Sequence, residues 1–148
     1  MAFRFALAPL LRLRQSLERQ RAQRLQEAAL ALARAQHTLA QMDQYLADSA
    51  RADETSLRAG RSAAELQFAA MAREAMLARR LEFLEEVHRL ELLRQTATVE
   101  YQQAYRAREV METLAAQQGH IYQQEQLQRE QRDLDATHLL QMWRKRRG

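Results

Sequence analysis

The sequence is poor in the residues that build tight turns and crosslinks. Its 148 residues include three Gly, one Pro and no Cys. So few turn-forming residues exclude a fold made of many short elements. The lack of Cys excludes disulfide bonds and thiolate metal sites, and it fits a reducing compartment.

Several kinds of chemistry are disfavoured by what is missing. The only Lys is Lys145, so the chain cannot form a phosphate-binding loop that ends in Gly-Lys-Ser/Thr. The four His are scattered and form no i,i+4 pair, which disfavours a metal site. Adjacent acids such as Glu85 and Glu86 fall on a predicted helix, without the enclosing cleft that general acid catalysis needs. We therefore expect no catalytic residue, no metal, no cofactor and no enzymatic activity.

Long apolar runs are also missing. No run approaches the roughly 18–20 apolar residues of a transmembrane helix, so we expect no membrane-spanning segment. A short apolar run at residues 5–11 contains Pro9 and is followed by Arg12 and Arg14 instead of a small-residue cleavage site. That pattern disfavours a signal peptide.

What the chain does contain is Ala, Leu, Gln, Glu and Arg in the proportions of long helices or coiled coils. The clearest pattern lies in residues 25–49, where apolar or small residues recur at alternating steps of three and four. They are Leu25, Ala28, Leu32, Ala35, Leu39, Met42, Leu46 and Ser49. A seam with a period of 3.5 must pack against another helix, because an unpaired helix would let it drift around the surface.

Polar residues after this stretch lead into a predicted turn. Gly60 can end a helix in a left-handed conformation, and Ser62 followed by Glu65 forms a capping box for the next helix. We expect a first helix over about residues 9–58, a turn over about 59–62, a second helix over about 63–143 and a basic tail at 144–148. Residues 1–148 then form a single coiled-coil domain. A single kinked helix is the alternative.

The second helix carries its own apolar residues. One face is expected to hold Leu77, Leu81, Leu84 and Val87. After a phase slip, the three-four spacing resumes and runs on through Leu90, Leu93, Ala97, Ala104, Ala107, Met111, Leu114 and Ile121.

The two seams predict how the helices pair. A chain that folds back near residues 60–65 places residue i opposite about 120−i to 130−i, so Leu10 should face residues 110–120. Just beyond, residues 123–133 contain one apolar residue, Leu127. A helix that is polar all round has no partner, so the second helix should outlast the first. We predict an all-α fold, an elongated antiparallel two-helix coiled coil (a helical hairpin) with a longer C-terminal helix overhanging, rather than a parallel dimer.

Apolar residues return beyond the polar stretch, where no part of the chain is left to cover them. This patch holds Leu134, Leu139, Leu140, Met142 and Trp143. The ends of the chain are basic, with a net charge of +5 in residues 1–24 and +4 in residues 144–147, whereas the 119 residues between them carry −5. Exposed Leu and Trp flanked by Arg are typical of a protein-binding surface. A frayed tail is the alternative.

The two ends of the sequence carry a family resemblance. The opening Phe3-Arg4-Phe5-x-Leu7-x-x-Leu10-Leu11-x-Leu13-Arg14, with Glu18 after it, resembles the start of the FliJ proteins of the bacterial flagellar export apparatus. The stretch Glu130-Gln131-Arg132-Asp133-Leu134-Asp135 is similar to a motif near the family's C-terminus.

The resemblance implies both a fold and a function. FliJ proteins are antiparallel two-helix coiled coils similar to the central stalk (gamma) subunit of rotary ATP synthases. The end bearing the termini enters the hexameric ring of the flagellar export ATPase and promotes its activity. The body engages the cytoplasmic domain of the membrane export gate, and the family escorts unloaded export chaperones. The resemblance thus implies a cytoplasmic protein, peripherally associated with the cytoplasmic face of the inner membrane at the flagellar base.

Carried onto this sequence, the resemblance assigns two partner-binding sets. The ATPase ring is expected to contact Leu10, Leu11, Leu13, Arg14, Leu134, Leu139, Leu140 and Trp143. The export gate is expected to contact Phe68 and Met71, although the family's aromatic pattern there is matched only loosely.

Three other functions stay open at this point. A stalk of a virulence-type (injectisome) secretion system has the same architecture, but the Phe-x-Phe opening favours the flagellar one. The basic ends could bind nucleic acid or an acidic membrane. The acidic body and the lack of a recognised nucleic-acid fold argue against nucleic acid, which we do not expect as a partner. The last alternative is a generic coiled-coil tether.

Overall fold

Two long helices and one turn make up the computed structural model, which describes residues 2–148; Met1 lies outside the described residues. Helix α1 spans Ala8–Arg58 and helix α2 spans Ala63–Arg147. Over the described residues there is no strand. The helices pack against each other as an antiparallel hairpin, and α2 is the longer one, which confirms the predicted fold class.

The turn forms as the sequence predicts, at Gly60. This residue has φ of 83°, a left-handed conformation that suits Gly because it has no Cβ. The Gly60 N–H donates to the Leu57 carbonyl at 3.3 Å and the Arg61 N–H to the Ser56 carbonyl at 3.2 Å, the two bonds of a Schellman motif. The Glu65 N–H donates to the Ser62 hydroxyl at 3.3 Å, which caps the start of α2.

Contacts between the helices divide the chain into two units. One is Gln20–Gln102, and the other combines Met1–Arg19 with Gln103–Gly148. In the first unit the core is thin: Leu32, Ala35 and Val87 are each only 7% exposed, and Leu39, Phe83 and Leu90 pack around them. Leu39 therefore lies close to residues 83–90 of α2, within the predicted range.

The predicted seam of α1 is confirmed. All eight residues from Leu25 to Ser49 that carry the three-four spacing are buried or half-buried. The spacing then continues to the half-buried Asp53 and Ser56 near the turn.

The predicted seam of α2 is wrong in part. Leu77 is 46% exposed and Leu81 is 64% exposed, as are Leu93 (48%) and Ile121 (53%). The buried or half-buried positions run without a phase slip instead: Leu66, Ala69, Arg73, Met76, Arg80, Phe83, Val87 and Leu90. Two Arg take seam positions because their aliphatic stems can pack while their guanidinium groups reach acids on α1.

Those acids and bases form ion pairs across the seam. In the unit Gln20–Gln102, Arg21 Nη1 lies 2.8 Å from Glu100 Oε2, Arg80 Nε lies 2.5 Å from Asp43 Oδ1, and Arg73 pairs with Asp53. Among its described residues, the second unit has one such pair, Arg108 with Glu18. The residue numbers of each pair add up to between 121 and 126, inside the predicted register.

In the unit formed by Met1–Arg19 and Gln103–Gly148, the N-terminal residues before α1 fold onto α2. The Phe3 ring lies 5.4 Å from the Tyr122 ring, tilted by 40°, and a Cβ added to Gly119 would meet the same Phe3 ring at 3.6 Å. We call this contact of Phe3 with Gly119 and Tyr122 the N-terminal clasp. Gly119, a residue type that weakens a helix interior, has no side chain, and the Phe3 ring packs beside it here.

Beyond the clasp, α2 continues alone. Every residue of 127–148 is exposed, and we call this segment the overhang. The helix extends to Arg147, four residues past the predicted end near residue 143. The four basic residues 144–147 are therefore part of α2 and not a separate tail.

Candidate partner-binding surfaces

The predicted ring-contact residues of α1 lie in its first two turns. Leu13 is 53% exposed, Leu10 is 37% exposed and Arg14 is exposed, whereas Leu11 is half-buried. Pro9 stands in the first turn of the helix, where its missing N–H leaves no hydrogen bond unmade. Three of the four residues can therefore be reached by a partner.

The predicted C-terminal contacts all lie on the overhang and are strongly exposed. Leu134 is 70% exposed, Leu139 58%, Leu140 64% and Trp143 65%. Helical spacing puts Leu139, Leu140 and Trp143 on one face, which we call the overhang face. Leu134 precedes Leu139 by five residues and so points to another side of the helix. The Arg147 guanidinium lies 5.9 Å from the centre of the Trp143 ring, within cation–π range.

The two predicted ring-contact sets do not form one continuous patch. Leu134 and Trp143 follow Tyr122, which the clasp joins to Phe3, by 12 and 21 residues. At 1.5 Å per residue this places them about 20–30 Å beyond the clasp along α2. The two sets are therefore separated along the length of α2.

Charge near the ends of the chain is largely unpaired. Arg4, Arg12, Arg14 and Arg19 are exposed, and over the described residues none of them forms an ion pair. The exception in this unit is Arg108, whose side chain is 17% exposed. Its guanidinium lies 2.6 Å from Glu112, contacts Glu18 and covers the Tyr105 ring at 4.9 Å. Hydrogen bonds to Glu112 and then to Glu18 raise the pKa of Arg108 above its usual value.

The predicted gate-contact residues lie in the second and third turns of α2. Phe68 is 76% exposed and Met71 is 63% exposed, and their spacing of three puts them on one face. Leu57, in the last turn of α1, is also 58% exposed. The end of the hairpin that contains the turn therefore presents apolar side chains to solvent.

Two further exposed residues near this end of α2 were not predicted to be exposed. Leu77 and Leu81 were assigned to the seam, but they are exposed, and their spacing places them on another side of α2 from Phe68. The signal that could have found them is the unbroken three-four spacing through Arg73 and Arg80, which leaves Leu77 and Leu81 on the flank. A search for apolar residues alone does not find that spacing, because two of its positions are Arg.

Two features typical of other kinds of function are missing from the described part of the chain. Within residues 2–148, no three His, Cys, Asp or Glu side chains group in a way that could hold a metal ion. Neither helix, over the described residues, includes a stretch long and apolar enough to cross a bilayer.

A comparison with protein families identifies the class of this two-helix hairpin. The family model described as "Flagellar FliJ protein" matches residues 3–147. The chain belongs to this family, and membership implies a component of the flagellar export apparatus. Comparisons with curated proteins and with solved structures gave no match.

Proposed function

We propose that this protein is the stalk of the flagellar export ATPase, with the end bearing the termini inserted into the hexameric ring. The observation that carries the proposal is the overhang: 22 exposed residues of a single helix with an apolar face and a basic end. A single helix is about 10–12 Å wide, which suits entry into a ring pore.

The residues divide the work of binding. Leu139, Leu140 and Trp143, joined by Leu134 on another side, supply apolar contact, since aromatic and aliphatic side chains dominate the affinity of interfaces. The basic residues 144–147 steer the approach to an acidic ring surface and change association rates more than affinity. With the overhang inserted, Leu10, Leu11, Leu13 and Arg14 reach the rim of the ring.

The other end of the hairpin is proposed to face the membrane export gate. Phe68 and Met71 form its contact with the gate's cytoplasmic domain, on the exposed surface beside the turn. In this arrangement the hairpin links ring and gate, escorts unloaded export chaperones and resides at the cytoplasmic face of the inner membrane. The protein has no catalytic step of its own and acts by promoting the ATPase.

The first experiment separates the two ends. Replacing Leu139 and Trp143 by Ala should reduce stimulation of the purified export ATPase to the activity of the ATPase alone, because the overhang face no longer holds the ring. Removing residues 134–148 should have the same effect. The matched control is Leu92→Ala with Val99→Ala, at two similarly exposed apolar positions of α2, which should stimulate normally.

The second experiment tests binding to the export gate with another double variant. Phe68→Ala with Met71→Ala should weaken binding to the gate's cytoplasmic domain while leaving ATPase stimulation and helicity by circular dichroism unchanged.

Full stimulation of the ATPase by the protein that lacks residues 134–148 would refute ring insertion. So would a full-length protein that ignores the ATPase but binds DNA with steep salt dependence.

A further inference from the structure

The overhang contains apolar residues at the three-four spacing that is typical of a helix packed against another helix. Continuing the three-four spacing of α2 from Tyr122 leads to residues 125, 129 and 132, which are charged, and then to Ala136, Leu139 and Trp143. These last three lie on the same line along α2 that α1 covers elsewhere in the hairpin. The seam therefore resumes where this chain has no second helix to offer, and Leu139 and Trp143 are 58% and 65% exposed.

Charge along the overhang is divided into two blocks. Before the apolar segment, residues 127–135 combine Arg129 and Arg132 with Glu130, Asp133 and Asp135 for a net charge of −1, and the basic residues 144–147 lie after it. Residues 136–143 contain no Asp, Glu, Lys or Arg. An antiparallel copy of the same segment would place its basic residues beside Asp133 and its apolar residues beside each other.

We propose that the free protein forms a homodimer in which two overhangs pair antiparallel about a twofold axis near residue 140. In this register Leu139 of each copy lies opposite Trp143 of the other, so this pair occurs twice. The two Leu140 residues meet at the axis. Asp133, Leu140 and Arg147 follow one another at intervals of seven and so share one edge of the seam. Asp133 then pairs with Arg147 of the second copy, again twice.

Two observations favour a second copy over other occupants. An anionic membrane would attract residues 144–147 but give Asp133 no partner, whereas a second overhang pairs Asp133 with Arg147. The line that carries Leu139 and Trp143 also resumes, after charged residues at 125, 129 and 132, the three-four spacing that leads up to Tyr122. This dimer does not depend on the ATPase proposal, since it concerns the free protein alone.

The test uses charge reversal in the full-length protein and analytical ultracentrifugation over a concentration series. Wild type should sediment as a dimer. Asp133→Arg and Arg147→Glu should each weaken self-association by roughly tenfold or more, since each places two like charges opposite each other. Mixing the two variants should restore a dimer, because a mixed pair brings the introduced arginine of one variant opposite the introduced glutamate of the other.

Matched controls carry the same charge changes elsewhere on the overhang. Glu130→Arg has no counterpart opposite it in the proposed register, and Lys145→Glu lies on the side away from Trp143, so both should remain dimers. A monomeric wild type would overturn the proposal. If that monomer also floats with vesicles of anionic phosphatidylglycerol, the overhang binds a membrane instead of a second copy. It would also be overturned if the mixed variants stay monomeric or if the controls dissociate as the variants do.

Discussion

Two stretches of α2 have similar residues but different surroundings. The stretch beside α1 contains Val87, 7% exposed, with Phe83 and Leu90 packed around the same core. The overhang contains Leu139 and Trp143 at the same helical phase, but both are more than half exposed. An apolar residue at a seam position therefore stabilises this fold only where a partner helix is present. The same residue elsewhere is available for binding.

The largest expected effect compares an Asp placed in each stretch. Val87→Asp should destabilise the hairpin by about 3–5 kcal/mol, because it buries a charge with no partner. Leu139→Asp should change the free energy of unfolding by no more than about 0.5 kcal/mol, because the site is exposed. Urea denaturation followed by circular dichroism measures both, at a protein concentration low enough to keep the chain monomeric. Equal losses would mean that the overhang is packed in solution.

A smaller effect tests which side of α2 faces the core. Phe83→Ala should cost about 2 kcal/mol, since it removes a half-buried ring that packs beside Leu32, Ala35 and Val87. Leu81→Ala, two residues earlier, should cost no more than about 0.5 kcal/mol because Leu81 is 64% exposed. If Leu81→Ala is the more damaging change, the seam follows hydrophobicity and not the spacing through Arg73 and Arg80.

The smallest effect concerns contacts within one helix, the kind on which an unpaired helix must rely. Arg89 holds Glu86 through two hydrogen bonds, Nε to Oε2 at 2.9 Å and Nη2 to Oε1 at 2.5 Å. These bonds lower the pKa of Glu86 below its usual 4.5. The carboxylate form is thus favoured in the helix, and this contribution to stability is present at neutral pH and lost as the pH falls through the lowered pKa.

Carboxyl NMR titration should therefore find the Glu86 pKa lowered in the wild type and returned to its usual range in Arg89→Ala. The control, Arg94→Ala, removes a more distant cation and should leave the lowered pKa in place. An unchanged Glu86 pKa in Arg89→Ala would assign the shift to another cause.

The sequence predicted the parts of the fold that depend on local chemistry. Gly60 and Ser62 carry recognisable end and start signals, and the seam of α1 has no competing apolar face. The turn then determines the register within a few residues, since two straight helices have little freedom to slide once joined. The predicted facing of residues i and about 120−i to 130−i is confirmed by pairs such as Asp43–Arg80.

The seam of α2 could not be predicted from apolar spacing alone, because ion pairs between α1 and α2 determine which of its residues face α1. Arg73 and Arg80 are surface residues by type, and only the presence of Asp53 and Asp43 opposite makes them seam residues. Arg21 is the matching case on α1: its charge interrupts the apolar pattern, but it pairs with Glu100. The clasp of Phe3 on Tyr122 was unpredicted as well, since it joins residues 119 positions apart.

That separation has a consequence for how the hairpin assembles. Near the turn, Asp53 and Arg73 are 20 residues apart, so their meeting closes a short loop. Direct pairing of Phe3 with Tyr122 in an unfolded chain would close a loop about six times longer at a greater entropic cost. Pairing that starts at Gly60 and proceeds outward closes only small increments at each step, so the clasp forms last and opens first. Amide hydrogen exchange should thus be fastest at the open end, where the termini are, and slowest around Leu32 and Val87.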